Sequence, residues 1–418
     1  MSNIHPFKAI LPHPNHAADV SCEPYDVIGT EDARTKADGK PNSFLRVIRS
    51  EIEFPAGTDP YSSAIYEKAR NNLDRMIAED VLVDSDDPAM FIYRLVQDGR
   101  CQIGLVCTVD AMEYRENRIR KHEKTRAEKE DDRTNHLLTV SGHAEPVFLA
   151  WHDSPEDTDI NVAISLETSE RPMMHFVADG VTHTLWKVND IDRLQNLFKD
   201  IPELYIADGH HRSAAGERAA TERAAHNANH SGNEEYNRIL AVIFPESQLK
   251  ILPYNRTVRD LNGLTTEEFL ARAGEVGELK PLADAPRIPE DKGQVNIHLD
   301  GQWHQLSFPA ETIDQSDPIE SLDVSLLQNR VLAPILGIGD PRTDNRIGFV
   351  GGIHGPDELE RKVAGGDWAI AFSMNATSMD ELLKVADANE IMPPKSTWFE
   401  PKLRSGLFVH RFEEEETR

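Results

Sequence analysis

The chain has 418 residues, with 45 Lys+Arg against 72 Asp+Glu and a formal net charge of −27. That field repels phosphate backbones and anionic membranes at long range and so disfavours a general nucleic-acid binder, although a local cradle of N–H groups and cations can still hold a small anion. Hydrophobic residues at 39% and charged residues at 28%, with 24 Gly and 25 Pro, exclude a disordered, collagenous or coiled-coil chain, and at about 150 residues per domain the length predicts two or three domains, or one large one with insertions.

The opening, MSNIHPFKAILPHPNHAADV, has no charged stretch leading into an apolar one, and no uncharged apolar run of about 18 residues occurs anywhere. No export and no membrane span are expected, and the expected location is cytoplasmic. Cys22, Cys101 and Cys107 are too few and too irregular for a disulfide framework or a cysteine zinc site; Cys101 and Cys107 bracket an apolar run and read as buried thiols of a strand. After an irregular, Pro-rich stretch to about Asn42, Phe44–Ile48 reads as a short strand. A helix follows Asp59 and Pro60, because Ile65, Ala69, Leu73, Met76 and Ile77 keep one apolar face, and Asp59 is its expected cap.

Three segments share apolar alternation on both sides of an Asp-Gly pair, the mark of a hairpin whose turn needs φ > 0. They are Met90–Val109 around Asp98-Gly99, Met174–Val188 around Asp179-Gly180, and Val295–Phe308 around Asp300-Gly301. Helical patterns at Ile191–Phe198, Ser213–His226, Thr266–Ala273, Ser325–Leu336, Pro356–Val363 and Met379–Ala388 are interleaved with them. The expected class is therefore α+β, with mixed, largely antiparallel sheets and interleaved helices. Between Glu113 and Arg133, 15 of 21 residues are charged, which reads as a solvated helix or a long polar loop. Asn227–Glu235 is a polar loop, Leu282–Gly293 a Pro- and charge-rich linker, and Glu413–Glu416 a solvated tail. A boundary near Leu282 divides a core of residues 1–282 from a C-terminal α+β region of residues 283–418.

The most informative stretch is Glu203–Ala225, ELYIADGHHRSAAGERAATERAA. Here an apolar run, Leu204–Ala207, reads as a strand, and Asp208-Gly209 leads into a helical pattern instead of a second strand. Free N–H groups and the positive end of the helix dipole then meet at one point, where an anion can sit. His210, His211 and Arg212 add donors there, and a guanidinium grips phosphate in bidentate fashion. Asp208 is the odd group, since a carboxylate beside phosphate needs a metal ion or a proton to handle. The alternative is a capped helix whose polar residues only satisfy backbone and surface.

A second candidate is Lys121–Thr125, KHEKT, where His122-Glu123 is either functional or a chance pair in a charged segment. The third is Met392–Leu403: two prolines deny a helix, and Lys395, Ser396 and Thr397 offer one cation and two hydroxyls, in an anion-binding loop or an ordinary connector. Among 17 histidines no H-x-x-x-H helix or H-x-x-E-H occurs, and the Gly-rich phosphate fingerprints and G-x-S-x-G are missing too. Gly348, Gly351, Gly352 and Gly355 after the expected strand Ile347–Val350 form either a phosphate loop or a hairpin.

Gly209-x-x-Arg212-x-x-Ala215 after a strand resembles the phosphate box of the ParB/sulfiredoxin-like superfamily, and the full DGHHR is similar to the version in free L-serine kinases. Those kinases also carry an upstream His-Glu pair and a late Pro-Lys-[Ser/Thr]-Thr loop; here His122-Glu123, Asp208–Arg212 and Pro394–Thr397 follow in that order. PYDVI (Pro24–Ile28), Ser321–Ile338 and Pro393–Leu407 resemble a widespread bacterial and archaeal family with which ATP-dependent serine kinases have been associated. The gap from Glu123 to Asp208 is wider than in the small kinases, and Glu23 stands where a Pro is usual.

The resemblance implies a ParB/sulfiredoxin-like strand-turn-helix phosphate site and a phosphotransferase that uses ATP or ADP with Mg²⁺ on free L-serine or a similar small hydroxylated metabolite. It makes Glu123 the base with His122 beside it, and Gly209, His210, His211 and Arg212 the phosphate holders. Asp208 would meet Mg²⁺ or the hydroxyl, and Lys395, Ser396 and Thr397 would close on substrate. The expected partners are the nucleotide and the small substrate, with no nucleic acid and no membrane, and a homodimer is compatible with the sequence. The alternative is a nucleotide-binding ParB-like switch without kinase activity, against which stand the −27 charge and the lack of a basic helix-turn-helix. Sulfiredoxin-like repair would need a Cys where His210 and His211 stand.

Overall fold

A computed structural model describes residues 2–153, 158–283 and 287–412. The chain forms two compact units, Met1–Leu249 with Pro401–Arg418, and Lys250–Glu400. The boundary expected near Leu282 falls inside the second unit, because Glu278–Leu282 is a strand paired antiparallel with Gln302–Ser307 of the same sheet. The charge-rich linker that follows lies partly outside the described residues, and the tail Glu413–Glu416 lies wholly outside them.

The first unit is built on a nine-stranded mixed sheet. Across it run Ile119–Arg120, Leu204–Asp208, Val147–Trp151, Arg238–Pro245, Arg100–Asp110, Phe91–Gln97, Val181–Lys187 and Met174–Ala178, with Ile4–His5 beside Arg100–Asp110. Two of the Asp-Gly hairpins are here, closing at Gln97↔Arg100 and Ala178↔Val181. Helix packing on the sheet buries Leu105, Leu149, Trp151, Phe198, Leu204, Ile206 and Ile243 completely or nearly so, and each such side chain contributes roughly 1.5–3 kcal/mol. A second core gathers Val20, Phe44, Leu45, Val47, Leu73 and Met76 around the helix Ser63–Ala78.

In the second unit a fully antiparallel six-stranded sheet orders Glu278–Leu282, Gln302–Ser307, Gln294–Leu299, Ile370–Met374, Tyr254–Val258 and Ile347–Gly351. It holds the third Asp-Gly hairpin, closing at Leu299↔Gln302. The protein is thus mixed α+β, with largely antiparallel sheets and interleaved helices.

Several local expectations change. Phe44–Ile48 is helical over Leu45–Ile48, with Ile48 N–H donating to Phe44 O; its five apolar-rich residues are buried on more than one side, and a short run of that kind has no period to separate strand from helix. The helix Ser63–Ala78 starts from Ser62, whose side chain makes no cap bond, while Asp59 accepts from Tyr61 N–H in the turn before it. Cys107 is buried but Cys101 is exposed. The pattern at Ser325–Leu336 is an α-helical turn, Asp323–Leu327, running into a π-helix, Gln328–Leu332. The charged stretch Glu113–Arg133 is neither one helix nor one loop: it holds the strand Ile119–Arg120 and the start of the helix Ala127–Val140, and Glu113, His122, Asp132 and Arg133 are buried. Gly348 and Gly351 lie in the strand Ile347–Gly351 and Gly352 follows it, and a Cβ there would strike Trp368, Trp398 and Pro253 respectively, so close packing explains them without a phosphate loop.

Candidate functional site

Leu204–Asp208 lies between Ile119–Arg120 and Val147–Trp151, and Leu204 and Ile206 are fully buried. The strand ends at Gly209, whose φ of 98° only glycine adopts without strain, and the helix His210–His226 starts at once. No side chain caps that helix, so its first-turn N–H groups are turned toward whatever lies beyond Asp208. A Cβ on residue 209 would lie 3.1–3.2 Å from the Arg212 guanidinium.

Asp208 is gripped from both sides. Arg212 Nη2 donates to Oδ2 at 2.7 Å and Lys402 Nζ to Oδ1 at 3.0 Å. Burial alone would raise the Asp208 carboxyl, but Lys402 and then Arg212 overcome it and hold the group well below the usual carboxylate range. Arg212 is itself buried, with Nη1 donating to Pro146 O at 2.5 Å. Burial works against its charge, and Asp208, Glu145 and Asp26 more than restore it.

The parallel register Leu204↔Ile119 and Tyr205↔Arg120 carries the following residues, His122 and Glu123, alongside the end of the Asp208 strand. His122 is 2% exposed and packs edge-on against His210, ring centroids 4.4 Å apart at 86°. Both nitrogens of His122 and Nε2 of His210 are buried without a hydrogen-bond partner among the described residues. Burial drives His122 far below its ordinary value, His210 adds to this, and Asp208 opposes it. Burial likewise takes His210 down to about 3 against the pull of Asp208, helped by His211, Arg212 and Lys121. Both rings are therefore neutral near pH 7. Glu123 Oε2 stands 4.0 Å from His210 Nδ1 with its side chain 42% exposed. A half-exposed carboxylate beside neutral imidazoles can take up a proton from a bound hydroxyl.

Behind Arg212 lies a second layer. Glu145 accepts from Tyr25 N–H at 3.2 Å and from Ser405 Oγ at 2.7 Å, and its other oxygen is 3.8 Å from Arg133 Nη1. Arg133 also donates to Asp132 and sits 4.1 Å over the Tyr25 ring. This layer holds the PYDVI segment next to the Asp208 turn. His211 is oriented by its own bond, Nε2 accepting from Arg126 N–H at 3.2 Å.

Lys395, Ser396 and Thr397 lie in the second unit. Lys395 has a positive φ of 58° and its ammonium is 5.1 Å over the Tyr254 ring. The buried Arg256 donates to Lys395 O at 3.1 Å, Thr377 Oγ1 to Ser396 O at 3.1 Å, and Ser396 Oγ to Pro393 O at 2.7 Å. The loop is thus tied by its own backbone. Sequence reasoning missed Lys402, although it stands inside the PPKSTWFEPKL stretch, and it missed Glu145 and Arg133, which no local pattern marks.

No group of three or more His, Cys, Asp or Glu able to hold a metal occurs among the described residues. The described residues therefore form no all-protein Mg²⁺ cage, and Asp208 holds two cations rather than offering both oxygens to a third. No helix among the described residues is long and apolar enough to cross a membrane.

The fold and site define an α+β protein in which a strand, a glycine and an uncapped helix bring a clamped carboxylate, two neutral histidines and a half-exposed glutamate together. The chain belongs to the family described as protein of unknown function (DUF1015), whose model matches residues 4–325. Similar solved structures include a free serine kinase in complex with AMP, at 13% identity and TM-score 0.37, with 70% of this chain and 86% of that chain covered. They also include a conserved hypothetical protein from Pyrococcus furiosus, at 13% identity and TM-score 0.36, with 72% and 93% covered. A third is SbnI with C-terminal truncation from Staphylococcus aureus, at 9% identity and TM-score 0.35, with 72% and 85% covered. No curated relative matches the chain.

Proposed function

We propose that this protein is a phosphotransferase that moves the terminal phosphoryl group of ATP or ADP to the hydroxyl of free L-serine or a similar small metabolite. The observation that carries this reading is the Asp208-Gly209 turn: the backbone there exposes a helix N-terminus, and a parallel strand pair sets Glu123 within 4.0 Å of the first helical residue, His210. The DGHHR resemblance supplies the reaction class, and the arrangement supports it because phosphoryl transfer asks chiefly for positioning and charge neutralisation.

In this reading the nucleotide phosphates meet the N–H groups after Gly209. Glu123 takes the proton of the acceptor hydroxyl, and neutral His122 and His210 offer ring nitrogens that are otherwise without partners among the described residues. The hydroxyl oxygen bonds to phosphorus as the bond to the bridging oxygen breaks, and the shortened nucleotide leaves with that electron pair. Mg²⁺ reaches such sites on the nucleotide itself and takes one or two carboxylates to complete its shell; Asp208 is the carboxylate in place and would release Lys402 or Arg212 to serve. Lys395, Ser396 and Thr397 are the proposed substrate loop of the second unit.

The test is to incubate the protein with ATP or ADP, Mg²⁺ and a panel of free amino acids and polyols, and to identify products by mass spectrometry. Phosphoserine or a close analogue is the expected product. Nucleotide binding without transfer to any acceptor would mark a ParB-like switch instead, and no nucleotide binding would overturn both readings.

A further inference from the structure

We propose that Lys402 is the cation that meets the transferred phosphoryl group, while Arg212 is the fixed half of the clamp on Asp208. This rests on the phosphotransfer reading and adds a catalytic residue to it. The two cations differ in what surrounds them. Arg212 donates to Pro146 O and Asp208, its Nε is buried without an acceptor among the described residues, and three carboxylates, of Asp208, Glu145 and Asp26, sustain its charge. Two of its three nitrogens are therefore engaged inside the fold, on Pro146 O and Asp208. Its side chain is 7% exposed against 14% for Lys402.

Lys402 approaches Asp208 from the chain's C-terminal segment, which belongs to the same compact unit, and bonds Oδ1 at 3.0 Å. No helix or strand holds residues 400–404, so its backbone is freer to adjust than that of Arg212 in the first helical turn. An ammonium on a four-carbon stem is a point charge with rotatable donors, able to swing from a carboxylate to a phosphate without losing a fixed geometry. As the bridging P–O bond breaks, the charge on the oxygens of the transferred phosphoryl group is met by the ammonium that Asp208 has held ready. The Glu123 carboxylate takes the hydroxyl proton, so charge and atoms balance across the step. Asp208 then acts as a positioning residue, holding Lys402 until the nucleotide arrives.

The experiment compares Lys402→Met, Lys402→Arg and, as a control for overall charge, Lys384→Met, an exposed lysine paired with Asp380 in the second unit. Titration calorimetry with ATP and ADP and turnover at saturating nucleotide are the readouts. Loss of one charge-assisted contact predicts a nucleotide affinity about tenfold to a hundredfold weaker in Lys402→Met, with lower turnover. Partial recovery is expected in Lys402→Arg and no change in Lys384→Met. Should Lys402→Met fail to fold, amine-reactive labelling of the wild-type protein followed by mass spectrometry reads the same contact, because saturating nucleotide should shield Lys402 and leave Lys384 open. A wild type that binds and transfers while Lys402→Met matches it, or Lys402 labelled equally with and without nucleotide, overturns the inference alone. A wild type that neither binds nucleotide nor transfers overturns the phosphotransfer reading beneath it.

Discussion

The Asp-Gly pair occurs at both hairpin turns and the candidate site, and the same dipeptide is built differently in each. At Asp98-Gly99, Asp179-Gly180 and Asp300-Gly301 both residues have positive φ, the aspartates at 48–51° and the glycines at 72–78°, and a Cβ on any of these glycines would meet open space. The aspartates are exposed. At Asp208-Gly209 only the glycine has positive φ, its missing Cβ makes room for Arg212, and the aspartate is clamped between two cations. In the hairpins the backbone needs the pair for a turn whose twist matches the strands. At 208–209 the turn ends the pairing and begins a helix without a side-chain cap, and this is the helix N-terminus that we propose receives a ligand.

The largest expected break in that contrast is Arg212→Ala. It leaves Pro146 O buried without its donor and the half-buried Asp208 with only one of its two cations, a loss of about 3 kcal/mol. Denaturant unfolding should show the drop, and calorimetry should show weakened nucleotide binding with it; wild-type values for both would remove Arg212 from the account. Next is Glu123→Gln, which keeps size and hydrogen bonding but not the base, so turnover should fall roughly 10²-fold or more while binding and stability hold. Glu128→Gln is the matched control, since Glu128 is exposed on the neighbouring helix, whereas Glu130 is tied to Arg218 and Thr125. Equal turnover in the two variants would end the base assignment.

A smaller effect separates the glycines directly. Gly99→Ala should cost about 1–2 kcal/mol, the price of a left-handed residue alone. Gly209→Ala should cost more, because the same backbone penalty is joined by the push against Arg212, and urea midpoints for the two variants check the order.

A further effect is on pH. His210 is neutral in the fold down to about 3 and burial also holds His122 far below the usual histidine range, so the unfolded chain binds more protons than the folded one through this window. Stability is complete above about 6.5 and falls as pH drops toward 3, by up to about 1.4 kcal/mol per pH unit for each such ring. His136, His143 and His183, also pushed down by burial, act in the same direction. Replacing His210 by Gln should flatten the urea midpoint between pH 7 and 5; an unchanged slope would contradict its burial in the neutral form.

Much of the fold is legible in the sequence itself. The three hairpins close where their Asp-Gly pairs require, and Leu204–Asp208 runs into a helix because the apolar pattern changes period across Gly209. The unit boundary was not readable: Pro and charge between Leu282 and Gly293 look like a linker, yet strand pairing of Glu278–Leu282 is decided by partners far along the chain. His122-Glu123 could be picked out only by its order relative to DGHHR, since its burial depends on the parallel register with Leu204–Tyr205. Lys402 and Glu145 were invisible for the same reason: each is an ordinary charge locally and gains meaning from a partner more than sixty residues away.

We propose that Asp208-Gly209 cradles an anion and that the hairpin Asp-Gly pairs do not. Calorimetric titration of ADP with Mg²⁺ into the wild type, Gly209→Ala and Gly99→Ala tests it most directly, because both variants add the same methyl group to a glycine of positive φ. The account predicts an affinity reduced about tenfold or more in Gly209→Ala, by roughly one lost charge-assisted contact, and a wild-type affinity in Gly99→Ala. Equal affinity in all three would contradict it.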